Sequence, residues 1–71
     1  MEGGEKLASI ADKLQALMEQ NHVTAYAIAK NTSYTAPAVY SWANGSVTPK
    51  MNAIKELSEF FKVPITYFTD D

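Results

Sequence analysis

The fold of this chain rests on the segment TAYAIAKNTSYTAPAVYSWANG, residues 24–45. Two of its threonines, Thr24 and Thr35, stand where helix N-caps are expected, because a threonine hydroxyl accepts a hydrogen bond from an amide of the first helical turn. Between them, Asn31-Thr32-Ser33 are poor helix-interior residues and good turn residues. The pattern predicts two short helices joined by a tight turn, over Ala25–Lys30 and about Ala36–Ala43.

The second of these helices carries its own start and stop signals. Pro37 falls in the first turn, where a missing N–H costs nothing because the amides there have no intrahelical partner. A proline also disfavours helical angles at the preceding residue, so Ala36 is an alternative to Thr35 as the N-cap. Asn44-Gly45 ends the helix, since glycine readily takes the left-handed conformation of a helix exit.

Upstream, apolar residues at helical spacing predict a first helix from Lys6 to Gln20. Its inward face consists of Leu7, Ile10, Ala11, Leu14, Leu17 and Met18. Asn21-His22 ends this helix, and the asparagine is suited to the left-handed exit conformation.

Downstream, Thr48-Pro49 repeats the signal of a capping residue followed by proline, which predicts a fourth helix over about Pro49–Phe61. The apolar face of that helix consists of Met51, Ile54, Leu57, Ser58 and Phe61. Lys62-Val63-Pro64 breaks it, and Pro64–Phe68 is predicted as one last short helical turn.

Together these segments predict an all-α fold, a compact bundle of five short helices. The folded domain is assigned to residues 6–68, with a flexible N-terminus at 1–5 and an acidic end at 69–71. A chain of 71 residues, 46% hydrophobic and 20% charged, has room for one core and no second domain.

The composition argues against several classes of protein. No cysteine is present for a disulfide or a thiolate metal site, and no apolar run approaches the roughly 20 residues that span a bilayer. The only histidine, His22, lies at a helix exit, no carboxylates cluster, and the glycines do not fit a phosphate loop. We predict a cytoplasmic protein with no enzymatic activity, metal, cofactor, membrane contact or small-molecule substrate.

The charge balance argues against a nucleic-acid partner. The net charge is −2, with six lysines and no arginine, whereas most DNA affinity comes from phosphate neutralisation. This balance limits the affinity and mode of DNA binding more than it excludes binding, because the placement of charges matters more than their sum.

The pair of short helices argues for such a partner. Two helices this short cannot bury enough surface alone, but they suit an element that enters a groove about 12 Å wide. Val39 and Trp42 are predicted to face the core. The residues then left on the outer and N-terminal faces are Thr35, Ala36, Pro37, Ala38, Tyr40 and Ser41.

With this spacing the chain resembles the DNA-binding domain of lambda-repressor-like, Cro-type phage and bacterial regulators. The joint spacing from Ile10 to Phe68 carries the resemblance: Ile10–Leu14–Leu17, Val23-Thr24, Ile28-Ala29, Val39-Tyr40-Ser41-Trp42, Asn44-Gly45, Pro49, Ile54, Leu57 and Phe61-Lys62-Val63-Pro64. It implies a helix-turn-helix at the second and third helices. The third helix would lie in the major groove of double-stranded DNA.

The resemblance also implies roles for single residues. The positions that face bases in the family are occupied by Thr35, Ala36, Pro37, Tyr40 and Ser41. Thr24 and Asn44 match positions that bond phosphates, a role that short polar side chains fill without net charge. Lys50 and Lys55, near the start of the fourth helix, would add ionic contacts, with a solvated helix face as the alternative for each.

Departures from the family pattern concern the chemistry of DNA reading. Ala25 and Ala36 stand where glutamine is common, which removes the bidentate amide contact to adenine. Small apolar groups for thymine methyls and two hydroxyls remain: Ala36, Pro37, Ala38, Tyr40 and Ser41.

Two further departures concern the framework. Ser33 occupies the position of a common turn glycine. Met18 and Ala43 replace an arginine and a glutamate that often pair. Losing both members of such a pair for apolar atoms can be neutral, so we expect Met18 to pack over Ala43.

The implied function is a sequence-specific transcriptional regulator, a repressor of phage, mobile-element or bacterial origin that occupies an operator as a dimer. Ile65, Tyr67 and Phe68 near the C-terminus either cover the core or form a homodimer contact. Two alternatives keep the fold: a protein-interaction module with weak or lost DNA binding, and an antitoxin with a toxin partner.

Overall fold

The computed structural model describes residues 9–69. Within that range it contains five helices and no strand: α1 (Ile10–Asn21), α2 (Ala25–Lys30), α3 (Ala36–Ala43), α4 (Met51–Phe61) and α5 (Thr66–Thr69). The predicted all-α bundle is confirmed. The predicted flexible segment 1–5, Leu7 of the first apolar face and Asp70-Asp71 lie outside the described residues.

Side-chain caps fix where the first three helices begin. Ser9 starts α1 with a capping box, since its hydroxyl accepts from the Asp12 amide (3.1 Å) and the Asp12 carboxylate accepts from the Ser9 amide (3.3 Å). The predicted start at Lys6 was therefore too early, because Ser9 is in an extended conformation. Thr24 and Thr35 cap α2 and α3 as predicted, which settles the choice between Thr35 and Ala36.

Two helices end in the left-handed conformation on residues that are not glycine. His22 (φ 56°) ends α1 and Lys62 (φ 60°) ends α4. The prediction of Asn21 as the left-handed residue was wrong by one position, because Asn21 is the last helical residue and its side-chain amide donates to the Leu17 carbonyl (2.8 Å). Gly45 (φ 85°) follows the end of α3 as predicted.

The start of α4 differs from the prediction. The helix begins at Met51 with Lys50 as an N-cap that makes no side-chain hydrogen bond. Pro49 is buried in the preceding loop rather than in the first helical turn. As the first residue of the helix, Met51 is 56% exposed and does not join the predicted apolar face.

One core joins the inward faces of all five helices. Its buried apolar residues are Leu14, Leu17, Ala25, Ile28, Val39, Trp42, Ala43, Ala53, Ile54, Leu57 and Phe68. Val39 and Trp42 face the core as predicted, and Tyr34 meets Trp42 edge to face with ring centroids 4.9 Å apart. The buried hydroxyl of Ser58 donates to the Ile54 carbonyl (2.8 Å). The inner side of α3 is thus fully used for packing.

Candidate nucleic-acid interface

The turn between α2 and α3 is closed by short hydrogen-bonding side chains. The Thr32 hydroxyl donates to the Ile28 carbonyl (3.0 Å) and accepts from the Tyr34 amide (3.3 Å). Ser33, at the position of a turn glycine in related regulators, does not have a positive φ. The turn therefore accommodates a Cβ at this position without left-handed strain.

Ser33 also ties this turn to α4. Its amide donates to one oxygen of the Glu56 carboxylate (2.9 Å) and its hydroxyl to the other (2.6 Å). These two hydrogen bonds hold the pKa of the Glu56 carboxyl below its ordinary value, and the bond from the Ser33 hydroxyl contributes most. We call this pair the Ser33–Glu56 clamp.

Sequence reasoning missed the clamp. Glu56 looks like any partly exposed acidic residue of an amphipathic helix, and its partner is 23 residues away in the sequence. A turn serine in place of glycine was the only signal, and it did not indicate which side chain would meet it.

Most of the predicted base-facing residues lie on the side of α3 away from the core. At about 100° per residue, the outward arc holds Pro37, Tyr40 and Ser41, whereas Ala36 lies only about 60° from buried Val39. Pro37 and Thr35 are exposed, Ala36 and Ser41 are half-buried, and the Tyr40 ring is 59% exposed. The structure thus places Pro37, Tyr40 and Ser41 on one face of α3, with Thr35 exposed directly before the helix.

The predicted phosphate-binding residues are all exposed. Thr24 is exposed at the start of α2, and its hydroxyl accepts from the Ala27 amide (3.1 Å). Asn44 follows α3 and accepts from the Ser46 amide (2.8 Å) through its side-chain oxygen. Lys50 and Lys55 are exposed, one directly before α4 and one in its second turn.

Tyr26 and Lys30 on α2 form an exposed pair that sequence reasoning missed. Tyr26 is 64% exposed, and the Lys30 Nζ lies 5.7 Å from the centre of its ring. The two residues are four positions apart and therefore neighbours on the helix surface. An aromatic residue four positions before a lysine on a short helix was the signal that could have revealed them.

A comparison with known protein families matches residues 14–68 to a helix-turn-helix family. The match covers most of the chain and reaches from α1 into α5. This chain belongs to the helix-turn-helix family, of the lambda-repressor-like, Cro/C1 type. No curated protein and no solved structure matches the chain. The family consists of DNA-binding domains rather than enzymes, so its ligand is double-stranded DNA and its class is that of transcriptional regulators.

In this helix-turn-helix domain the predicted C-terminal contact surface is largely used by the core. Phe68 is 2% exposed, so it cannot serve as an accessible dimer contact. Ile65 and Tyr67 are partly buried against the core, and the rings of Tyr67 and Phe68 meet edge to face (5.3 Å). The reason is that α5 packs against α1 and α4 and covers one end of the bundle.

A groove of about 590 Å³ opens where α1, α2 and α3 meet. Met18 and Ala43 both line it, and Gln15 beside them donates its side-chain amide to the Ala43 carbonyl. The expected packing of Met18 over Ala43 stays a prediction. Thr24 and Tyr40 line the same groove, so it borders the exposed face of α3.

Residues 9–69 contain neither a metal-binding cluster nor a membrane-spanning helix. No group of three or more histidine, cysteine, aspartate or glutamate residues is arranged to hold a metal ion. No helix in that range is long and apolar enough to cross a membrane.

Proposed function

We propose that this helix-turn-helix domain binds a specific operator by inserting the outer face of α3 into the major groove, and that it represses transcription by excluding polymerase. One observation carries the proposal. The inner face of α3 is anchored in the core by Val39 and Trp42, whereas the opposite face is accessible. A rigidly mounted, exposed short helix suits groove entry.

In this proposal the side chains divide into two roles. Base contacts come from Thr35, Ala36, Pro37, Tyr40 and Ser41. Phosphate contacts come from Thr24 at the start of α2, from Asn44 directly after α3, and from Lys50 and Lys55 near the start of α4. The Lys30–Tyr26 pair on α2 adds a further cation on an exposed helix face.

The low number of cations sets the expected salt dependence. With about three lysines at phosphates, the logarithm of the binding constant should fall with the logarithm of salt concentration at a slope near −3. A chain with net charge −2 should gain little non-specific affinity from the remainder of its surface.

We further propose that two copies read half-sites about one helical turn apart. Because Phe68 is buried, the C-terminal contact would use the partly exposed Ile65 and Tyr67. Sedimentation with and without operator DNA tests this arrangement. A single copy on each half-site, with no coupling between half-sites, would contradict it.

The function is tested by selecting bound duplexes from a random pool at low salt. The expected result is one recurring motif with two related halves. On that duplex, Tyr40→Ala should relax the sequence preference, whereas Asn44→Ala should weaken all duplexes alike. If both variants bind like the wild type, the assignment of α3 to the groove is wrong.

The same selection addresses an interaction module as the second candidate. The observation that favours it is the pair of exposed tyrosines, Tyr26 (64%) and Tyr40 (59%), on a domain with no arginine, because tyrosine is enriched at protein interfaces. A domain that retains no duplex even at low salt would support this candidate instead.

A further inference from the structure

We propose that α3 selects its operator mainly by the 5-methyl groups of pyrimidines, thymine in unmodified DNA, and not by paired hydrogen bonds to purines. This inference rests on the proposed binding of α3 in the major groove. It specifies which chemical feature of the base pairs the exposed face recognises there.

The outward face of α3 is built mostly from carbon. The helix, APAVYSWA, contains no charged and no carboxamide side chain. Its outward arc presents the exposed Pro37 ring and the 59%-exposed ring of Tyr40. The side-chain polar atoms of the outward arc are two hydroxyls, those of Tyr40 and Ser41.

Single hydroxyls cannot replace a forked donor. Paired contacts to guanine or adenine need two polar atoms held side by side, as in arginine, asparagine or glutamine. The Thr35 hydroxyl already accepts from the Ala38 amide (3.4 Å), and as a single polar atom it cannot form a forked pair with a base. Pro37 has no amide proton to offer.

The two carboxamide side chains near this face already form hydrogen bonds to backbone groups. The Asn44 oxygen accepts from the Ser46 amide (2.8 Å), and the Gln15 amide donates to the Ala43 carbonyl. These bonds tie each carboxamide to a backbone group, and neither residue belongs to the outward arc of α3. The remaining feature that distinguishes base pairs in the major groove for an apolar surface is the thymine methyl group.

The expected change in DNA affinity follows from the burial of thymine methyl groups against α3. Removing one buried methyl group from an apolar contact corresponds to a loss of about fourfold in affinity. Several methyl contacts in two half-sites would multiply to a substantial preference. A single hydroxyl bond from Tyr40 would add direction to that preference.

The test uses a duplex obtained by selection from a random pool, with binding measured by fluorescence anisotropy at constant salt. Each thymine is replaced in turn by deoxyuridine, which lacks the methyl group, and by 5-bromodeoxyuridine, which fills the same space. In parallel, single purines are replaced by their 7-deaza analogues, which lack the N7 acceptor. We expect deoxyuridine to weaken binding about fourfold at one or more positions in each half-site. Bromine should restore the affinity, and N7 removal should change it less.

Protein variants locate the methyl contact on α3. Pro37→Ala should weaken binding to the thymine duplex and have little effect on the duplex already containing uridine at the contacted position. Val47→Ala, in the exposed loop after α3, is the matched control and should leave the ratio of thymine to uridine affinity unchanged.

The outcomes separate this inference from the proposed function. If a duplex is selected but no uridine replacement weakens binding by more than twofold, the methyl inference is wrong while DNA binding stands. A larger loss from N7 removal than from methyl removal overturns it as well. If no duplex is selected at low salt, the proposed function and this inference fail together.

Discussion

The two connections that flank α3 are held in different ways. The α2–α3 turn is tied to distant parts of the fold by side chains: Ser33 donates twice to Glu56 of α4, and Tyr34 packs edge to face on Trp42. The turn is therefore fixed from outside its own segment.

The α3–α4 loop relies on local contacts. Asn44 accepts from the Ser46 amide, and the Val47 amide donates to the Ser41 carbonyl (3.2 Å). Gly45 supplies the left-handed conformation, and the Val47 side chain is 51% exposed. The residues of this loop are exposed except for Pro49, which is buried.

The difference lies in the connections and not in α3 itself, which is also anchored near its C-terminal end by buried Trp42 and by the Gln15 side chain at the Ala43 carbonyl. Perturbing the two connections separately should therefore give unequal effects on stability.

The largest loss of folding stability is expected from Trp42→Ala. It removes a 6%-exposed indole together with the partner of the Tyr34 ring, at a cost of about 3–5 kcal/mol. Because a domain of this size has only a few kcal/mol of net stability, the variant should be largely unfolded at 25 °C. Urea denaturation followed by circular dichroism measures this, with Val47→Ala as the exposed control. A cooperative transition close to that of the wild type would show that the core does not depend on this ring.

A smaller loss of folding stability is expected from Gly45→Ala in the α3–α4 loop. An added Cβ would lie 3.9 Å from the nearest atom, the Ala11 Cβ, so there is no steric overlap. The cost comes from the positive φ of 85° alone and should be about 1 kcal/mol. Ser46→Ala, which keeps the backbone amide bonded to Asn44, is the control. An unchanged denaturation midpoint for Gly45→Ala would mean that the loop rearranges freely.

Glu56→Gln should lower the denaturation midpoint by less than Gly45→Ala, because the clamp lies at the exposed surface, where charged contacts contribute little. Glu59→Gln, on the same helix and outside the clamp, is the matched control and should leave the midpoint nearly unchanged. If the two substitutions have equal effects, the Ser33–Glu56 clamp does not stabilise the turn.

The smallest expected effect is on how the free energy of unfolding depends on pH, compared between Ser33→Ala and the wild type. Since the folded-state pKa of Glu56 is lowered from about 4.5, its contribution is fully present above that value and is lost as the pH falls through the folded-state pKa. Ser33→Ala removes the hydroxyl that contributes most to this shift, so its free energy of unfolding should rise less steeply than that of the wild type between about pH 3 and pH 6. Parallel curves for the two proteins would contradict the assignment of the shift to Ser33.

Helix positions were predictable where the signal was local. Thr24 and Thr35 were identified as caps because a hydroxyl and the amide three residues later are fixed by short-range geometry. The start of α4 was misplaced because Thr48-Pro49 carries the same local signal, but Pro49 is buried in the loop and the helix begins at Met51. A local sequence signal can therefore predict the right helix and still misplace its first residue, because packing decides where the helix begins.

Surface roles were harder to predict than helices. The outer face of α3 followed from the burial of Val39 and Trp42, which helical periodicity had already indicated. Phe68 was one of three residues considered for a dimer contact, but it lies in the core. A short apolar segment near a chain end has the same sequence pattern whether it covers its own core or a partner.

The sequence by itself determined five helical segments, the caps of α2 and α3 and the uncharged outer face of α3, because periodicity and capping depend on residues three or four positions apart. The tertiary structure alone decided that Ser33 meets Glu56, that Phe68 is buried and that Tyr26 stays exposed beside Lys30. Contacts between helices depend on how the helices cross and on which faces meet, and residues 23 positions apart, as in the Ser33–Glu56 clamp, carry no pairing signal in one sequence.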